Sequence, residues 1–132
     1  MTIQIHVACD DEQYRSVIAE FLDHQTGMEV VGASPSGGIG TAAVELADPD
    51  VVVIGIQSNG NVAQYAPCYR QIMADGAALV AFCMTPEQAR EYQRFGIERV
   101  ILSDDPARKL TAAVRDAYSE HIPSPAKLTA AH

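Results

Sequence analysis

Side chains that could hold a divalent cation follow the first apolar segment of the chain. Asp10 and Asp11 stand next to Cys9, directly after the apolar residues 3–8. Carboxylate oxygens are the ligands that a hard ion such as Mg²⁺ prefers. Two carboxylates supply too few ligands for tight binding, whereas acidic groups at the start of a helix are stabilised by its dipole. The favoured interpretation is that they cap the first helix, and no metal site is predicted.

Three thiols are the other reactive side chains. Cys9, Cys68 and Cys83 contain no Cys-x-x-Cys spacing and form an odd set, so the pattern indicates neither a structural zinc site nor a disulfide framework. Cys9 and Cys83 both stand at the ends of apolar segments, which raises a redox switch as a hypothesis. Reduced, buried thiols that behave as small apolar side chains are the favoured interpretation.

Two further segments carry functional groups without a positioned partner. Residues 36–41 read Ser-Gly-Gly-Ile-Gly-Thr, which resembles a loop that holds phosphate at a helix N-terminus. The loop lacks the lysine of a P-loop, so a turn before a short helix is favoured. His6 alternates within an apolar segment and is predicted to be a packed core histidine. No Ser-His-Asp or Cys-His arrangement is indicated, so no enzymatic activity is predicted.

Strand-like and helix-like patterns alternate along the chain and must position these groups. Four β-branched residues at 51–54 follow Pro49 and Asp50, which is typical of a strand buried on both faces of a parallel sheet. Thr85, Pro86 and Gln88 match the start of a helix. The predicted strands are residues 3–8, 29–33, 51–54, 78–83 and 99–102, and the predicted helices are residues 14–22, 41–47, 65–73, 86–95 and 106–118.

Five such strand-helix units predict an α/β fold. Their connections are too long for hairpins and suit helical crossovers, so we expect a parallel sheet with helices on both faces. The 132 residues suffice for one domain. We expect that domain to span residues 1–121, because the composition of residues 122–132 shifts to that of a linker or tail.

The charge of the chain bears on its partners and location. The formal net charge is −8 and the isoelectric point is near 4.7. An acidic surface disfavours direct contact with nucleic acid or an anionic membrane. We find no signal peptide and no apolar run of the roughly 18 residues that a membrane helix needs. A cytoplasmic protein is therefore expected.

The spacing of three segments resembles one known family. These are residues 29–33 (Glu-Val-Val-Gly-Ala), residues 49–54 (Pro-Asp-Val-Val-Val-Ile), and Gly96 followed by residues 100–106 (Val-Ile-Leu-Ser-Asp-Asp-Pro). Together they resemble response-regulator receiver domains of the NarL/FixJ type over roughly residues 2–119. The resemblance implies a flavodoxin-like (CheY-like) fold, whose five-stranded parallel sheet has the order 2-1-3-4-5.

The resemblance also implies a phosphorylation site in which most functional residues are replaced. In receivers an acidic pair and an acceptor aspartate hold Mg²⁺, while a hydroxyl, a lysine and an aromatic residue respond to the phosphoryl group. The acceptor falls on Gly55, which has no side chain to phosphorylate. The degenerate positions are Cys9, Asp10 and Asp11 (acidic pair), Gly55 (acceptor), Cys83 (hydroxyl, with Thr85 as the alternative), Val100 (aromatic) and Ser103 (lysine).

A receiver fold without receiver chemistry implies a regulatory function. The expected function is that of an atypical receiver that acts by phosphorylation-independent protein–protein interaction, without a cofactor. A homodimer through the last two strand-helix units is expected, with Tyr118 near the contact and a charged rim of Arg108, Lys109, Arg115 and Asp116. Residues 125–130 resemble the start of the DNA-binding module that such receivers usually precede, which implies the N-terminal part of a transcriptional regulator.

Two alternatives stay open from the sequence. The first is a small-ligand or redox sensor that uses the pocket left by Gly55 at the strand ends. A disulfide would be difficult there: in the receiver strand order, the strands of Cys9 and Cys83 flank the third strand. Their Cα atoms would lie about 9.6 Å apart, twice the strand spacing, and a disulfide needs about 7 Å or less. The second, a cofactor-binding flavodoxin-like module, is weaker, since the Asp-x-His-x-x-Gly pattern of cobalamin domains is absent.

Overall fold

Five parallel strands form one sheet in the order β2-β1-β3-β4-β5. A computed structural model of the chain describes residues 2–9, 11–34, 48–55, 62–74, 76–83, 85–97, 99–102 and 106–120. The strands are β1 (Ile3–Cys9), β2 (Met28–Ser34), β3 (Val51–Gly55), β4 (Ala78–Cys83) and β5 (Arg99–Leu102), and the helices are α1 (Glu12–Asp23), α2 (Val62–Ala74), α3 (Pro86–Arg94) and α4 (Pro106–Glu120). The predicted strand order and fold class are confirmed. The predicted helix at 41–47 falls outside the described residues.

The central strand is the one that its sequence marks most clearly. All five residues of β3 are buried, as expected for a run of β-branched side chains covered on both faces. β3 pairs with β1 on one side and β4 on the other, and the backbone of Asp50 bonds to that of Gln4 where β3 begins. The ends of these three strands therefore lie side by side, which brings residues from distant parts of the sequence together.

Two apolar layers cover the sheet, one on each face. On one face α1 and α4 pack against the alternate residues of β1, β3 and β4 that include Val7, Val53 and Phe82. On the other face α2 and α3 pack against the intervening residues, which include Ala8, Ile54 and Ala81. Successive side chains of a strand point to opposite faces of the sheet, so every second residue joins the same layer.

Side-chain caps fix the starts of two helices at the sheet's C-terminal edge. Asp11 is the N-cap of α1, and its Oδ1 accepts a hydrogen bond of 2.8 Å from the backbone N–H of Tyr14. Thr85 is the N-cap of α3, and its Oγ1 accepts a bond of 3.3 Å from the N–H of Gln88. Each cap satisfies a donor that the first helical turn leaves unpaired. The predicted capping role of Asp11 and the predicted start of α3 at Thr85 are confirmed.

A β-bulge between β1 and β2 makes room for a buried histidine. The pairing shifts after Ile5, so that His6 lies opposite Gly32. A Cβ atom on Gly32 would lie 2.7 Å from His6 Nδ1, so only glycine fits there. His6 is 2% exposed, and its Nε2 lies 2.8 Å from the hydroxyl of Ser34. The prediction of a core histidine is confirmed, and its burial lowers the pKa of the imidazole.

Candidate functional site

The C-terminal edge of the sheet is where the degenerate phosphorylation positions were expected. The strand register places Cys9, Gly55, Phe82 and Ile101 in one row across β1, β3, β4 and β5. Parallel α/β sheets bind their ligands beyond this edge. Gly55, at the acceptor position, is the last residue of β3 and is buried. The structure therefore places Gly55 at the centre of the edge, between Cys9 on β1 and Phe82 on β4.

The ring of Phe82 fills the volume that an acceptor side chain would need. A Cβ atom built on Gly55 would lie 2.2 Å from Phe82 Cζ and less than 3 Å from both Cε atoms. Real Cβ atoms essentially never come within 3.0 Å of another heavy atom. Gly55 has no positive φ, so the ring rather than the backbone is what demands glycine. The pocket that the sequence suggested beside Gly55 is occupied by the protein's own side chain.

Phe82 is held in this position by the core. It is 5% exposed and belongs to the apolar layer under α1 and α4. The ring of Tyr14 on α1 lies beside it, with 5.4 Å between the ring centroids and an interplanar angle of 49°. Such tilted aromatic pairs stabilise a core beyond the area that they bury. Two aromatic rings from different elements therefore pack beside Gly55 at this edge.

Sequence reasoning missed Phe82, although a signal for it existed. In the receiver strand order β4 lies beside β3, and equal strand lengths put Phe82 near Gly55. A large aromatic side chain that covers a glycine on the neighbouring strand is a known way to fill a sheet. The pairing of one very large residue with one that has no side chain was the pattern to look for.

The described residues at the end of β1 do not fit a Mg²⁺ ion. Asp11 uses Oδ1 as the cap of α1, and Gly55 has no side chain to provide a ligand. The guanidinium of Arg15, which is half-buried, donates a hydrogen bond of 2.9 Å to the carbonyl of Cys9. A fixed positive charge at the end of β1 repels a divalent cation. No step through a bound metal ion follows from these residues.

The thiol at the predicted hydroxyl position is turned toward the backbone. Cys83 Sγ lies 3.6 Å from the carbonyl of Thr85 and 3.7 Å from that of Ile101. Burial raises the pKa of the Cys83 thiol, while the contact with Thr85 partly opposes this. Because the Thr85 hydroxyl accepts the capping bond of α3, the alternative hydroxyl is also engaged.

Cys9 and Cys83 lie on opposite faces of the sheet. Cys9 shares its register row with Phe82, and Cys83 is the next residue along β4. The two thiols accordingly belong to different apolar layers, and both are buried and outside any disulfide bond. This separation prevents Cys9 and Cys83 from pairing with each other. The side chain of Cys68 lies outside the described residues.

Several predicted positions are not described by the structure. Asp10 and Ser103, the second acidic position and the lysine position, both fall there, as do residues 36–41 and residues 122–132. Val100, the aromatic position, is described: it is half-buried and packs against the layer under α2 and α3.

A second feature is a shallow cleft between β5 and α4. It has a volume of about 430 Å³. Its lining combines an apolar floor with charges of both signs and consists of Arg99, Val100, Ile101, Lys109, Ala112, Ala113 and Asp116. Arg115, predicted as part of the charged rim of a homodimer contact, is not among the residues that line this cleft. The Arg115 guanidinium instead donates a bond of 3.2 Å to the carbonyl of Thr26, on the α1 side of the helix. The side chain of Arg108 lies outside the described residues.

The fold of the chain is that of response-regulator receiver domains. The receiver domain of CheB from Thermotoga maritima superimposes with a TM-score of 0.73 at 22% identity, over 90% of this chain and 98% of that one. The receiver domain of NarL from Mycobacterium tuberculosis gives a TM-score of 0.73 at 19% identity, again over 90% and 98%. A DNA-binding response regulator of the LuxR family from Staphylococcus aureus gives 0.71 at 13% identity, over 88% and 98%.

At these identities the likeness establishes the fold alone. No family model matches the chain, and no curated protein matches it. Within the described part of the chain, no helix is both long and apolar enough to cross a membrane. The same residues contain no cluster of three or more histidine, cysteine or acidic side chains that could hold a metal ion.

Proposed function

We propose that this chain is a receiver-type regulatory domain that does not accept a phosphoryl group. The single observation that carries the proposal is the Phe82 ring, which occupies the space over Gly55 where an acceptor carboxylate would stand. Phosphorylation needs a nucleophile at that point and room for three phosphoryl oxygens, and neither is present. The domain then acts in the cytoplasm by constitutive contact with protein partners.

Two further contacts support this reading of the edge. The guanidinium of Arg15 is bound at the end of β1, where a receiver would hold its cation. The Cys83 thiol points to carbonyl groups within the protein. A phosphoryl group would therefore lack its metal ion and its hydroxyl contact, in addition to its acceptor.

Intact-mass spectrometry after incubation with acetyl phosphate and Mg²⁺ tests the proposal. We expect no gain of phosphate, because Gly55 has no nucleophile and the Phe82 ring excludes the reagent. A receiver domain with an aspartate at the acceptor position, treated in parallel, is the positive control for the reagent. A hydroxylamine-labile gain of one phosphate on this chain would refute the proposal.

We further propose that the cleft between β5 and α4 is the contact surface, and that a second copy of the chain is its first partner. An isologous dimer places each patch against itself, so the patch needs charges of both signs. Lys109 and Asp116, both exposed, give the cleft charges of both signs, and Val100 and Ala113 add apolar side chains to its lining. Leu102, at the end of β5, adds an apolar side chain that is 44% exposed.

Sedimentation equilibrium at micromolar to millimolar concentration tests the dimer. Ala112 is exposed on α4 within the cleft. Ala112→Arg should weaken association by about tenfold or more, since it buries an unpaired charge in the contact. Ser16→Arg, at an exposed position of α1, is the matched control and should change nothing. A wild-type chain that stays monomeric at every concentration would exclude this surface as a homodimer contact.

The proposal extends to the domain's setting. One structural neighbour is a DNA-binding response regulator, and residues 125–130 resemble the first part of such a module. We propose that the domain regulates a DNA-binding domain that follows it. The acidic charge of −8 disfavours DNA contact by this domain itself. Gel-shift assays with and without residues 1–121 in the full-length gene product would test that regulation.

A further inference from the structure

A cavity opens at the N-terminal ends of β4 and β5, at the opposite edge of the sheet from Gly55. Its volume is about 360 Å³, which falls within the range of roughly 300–1,000 Å³ of small-molecule sites. Apolar side chains form most of its wall, among them Met73, Leu79, Ile97 and Ala117. Gly96 borders it, and a Cβ atom at Gly96 would meet no atom within 4 Å. The cavity therefore has an apolar wall and an open side at Gly96.

One ion pair provides the charged groups among the described residues that line this cavity. Arg99, the first residue of β5, pairs with Glu120, the last residue of α4. The side chain of Arg99 is 26% exposed, whereas that of Glu120 is 72% exposed. The cation is thus held within the protein, while its carboxylate partner approaches from the solvent.

Glu120 is a partner that another carboxylate can replace. A carboxylate at the C-terminal end of a helix is disfavoured by the helix dipole. An exposed ion pair also contributes little to stability. The Arg99 guanidinium, by contrast, offers a planar pair of donors that matches any carboxylate. A ligand that also buries apolar surface has an advantage over Glu120 for this position.

We infer that this cavity binds a small monocarboxylate with a compact apolar body. The ligand carboxylate takes the place of Glu120 on Arg99, and the apolar body lies against Leu79 and Ile97. This site is independent of the proposed loss of phosphorylation, since it lies at the other edge of the sheet. Either conclusion could fail without affecting the other, because one is tested by protein mass and the other by ligand affinity.

An NMR titration of the ¹⁵N-labelled protein with phenylacetate tests the inference. The amide signals of Gly96, Ile97 and Arg99 should shift, and phenylacetamide, which has no charge, should bind at least about tenfold more weakly. Glu120→Gln removes the internal competitor and should tighten phenylacetate binding by about fivefold. Arg99→Gln should weaken it by about tenfold or more. The two substitutions in one ion pair thus have effects of opposite sign.

The exposed pair of Glu87 and Arg90 on α3 provides matched controls. Arg90 Nη2 and Glu87 Oε1 lie 3.7 Å apart, and both side chains are at least 70% exposed. Glu87→Gln and Arg90→Gln should leave the affinity unchanged. Glu120→Gln alters only an exposed side chain, so its result does not depend on whether Arg99→Gln folds. Unchanged affinity in Glu120→Gln, equal binding of phenylacetamide, or shifts confined to other residues would each overturn the inference.

Discussion

The two edges of the sheet differ in what fills them. At the C-terminal edge, where a receiver carries its phosphorylation site, the Phe82 ring covers Gly55 and packs against Tyr14. At the N-terminal edge, a cavity of about 360 Å³ contains the pair of Arg99 and Glu120. Phe82 fills the space over Gly55 at the first edge, here called the closed edge, whereas the described residues leave a cavity at the second, here called the open edge.

Under the proposed function, this edge lacks a phosphorylation site and keeps its apolar core. An acceptor aspartate is a charged group at a buried position, which is costly unless a cation compensates it. Glycine with an aromatic neighbour removes that cost and adds apolar burial at the same point. Replacing an aspartate by this glycine and its aromatic neighbour would stabilise the closed edge. Substitutions there should therefore change the free energy of unfolding more than substitutions at the open edge.

Phe82→Ala should give the largest change, a loss of about 3–5 kcal/mol in the free energy of unfolding. The substitution empties the space over Gly55 and removes the contact with Tyr14, so a cavity forms in the layer under α1 and α4. Urea denaturation followed by circular dichroism measures the change. A loss below about 1 kcal/mol would mean that the ring does not fill the edge in solution.

Gly55→Ala should give the next largest loss in the free energy of unfolding, about 1–3 kcal/mol, because the added methyl group has no room beside the Phe82 ring. Gly55→Asp should be worse, since it adds a buried charge to the same clash, and it should not restore a response to Mg²⁺. The same denaturation experiment ranks the two variants. Stability equal to the wild type in Gly55→Ala would contradict the observed packing.

The sequence predicted the sheet because its signals are local. The β-branched run at 51–54 marks a strand without any knowledge of its neighbours. The caps at Asp11 and Thr85 likewise depend on residues within one turn of helix. The five strands were therefore predictable, and their ends differ from the prediction by no more than one residue. Their order was implied by the resemblance to receiver domains, not by these local signals.

The filling of the site could not be predicted in the same way. Whether Phe82 turns toward Gly55 depends on register between strands and on Tyr14 from a third element. The pairing of Arg99 with Glu120 joins the start of a strand to the end of the following helix. The contact of Arg115 with the carbonyl of Thr26 is of the same kind, because its partner is distant in sequence. Such contacts are set by packing rather than by pattern.

His6 lies between the two edges and should make stability depend on pH. Its folded-state pKa is lowered by burial, so the unfolded chain binds the proton more readily. The contribution of the neutral His6 to the free energy of unfolding is fully present above its unfolded-state pKa of about 6.5. Stability should fall as the pH drops from there toward the folded-state pKa. The acidic residues that the register places on the same face are Glu29 and Asp50, both outside the buried core.

Thermal unfolding of the wild type and of His6→Gln across pH 5 to 8 measures this effect. Each unit of difference between the folded-state and unfolded-state pKa changes the free energy of unfolding by about 1.4 kcal/mol. In His6→Gln, the decrease of stability that the wild type shows below about pH 6.5 should be smaller by the part that His6 contributes. Ser34→Ala is the control, since it removes the contact to Nε2 but keeps the imidazole, and should retain a slope. Identical slopes in the wild type and His6→Gln would show that His6 is not buried as described.

Glu120→Gln should have the smallest effect on stability, less than about 1 kcal/mol, because the Glu120 side chain is 72% exposed. Urea denaturation at low and high salt measures it, and added salt should shrink the difference further. A loss as large as that of Gly55→Ala would mean that the open edge is as tightly organised as the closed one.

The most direct test of the filled edge is a double-mutant cycle between Gly55 and Phe82. Unfolding free energies are measured for Gly55→Ala, for Phe82→Val, which shortens the side chain without emptying the position, and for the pair. If the ring occupies the acceptor position, Ala at position 55 should cost at least about 1 kcal/mol less beside Val than beside Phe. Additive costs within about 0.5 kcal/mol would show that the ring and the acceptor position do not share one space.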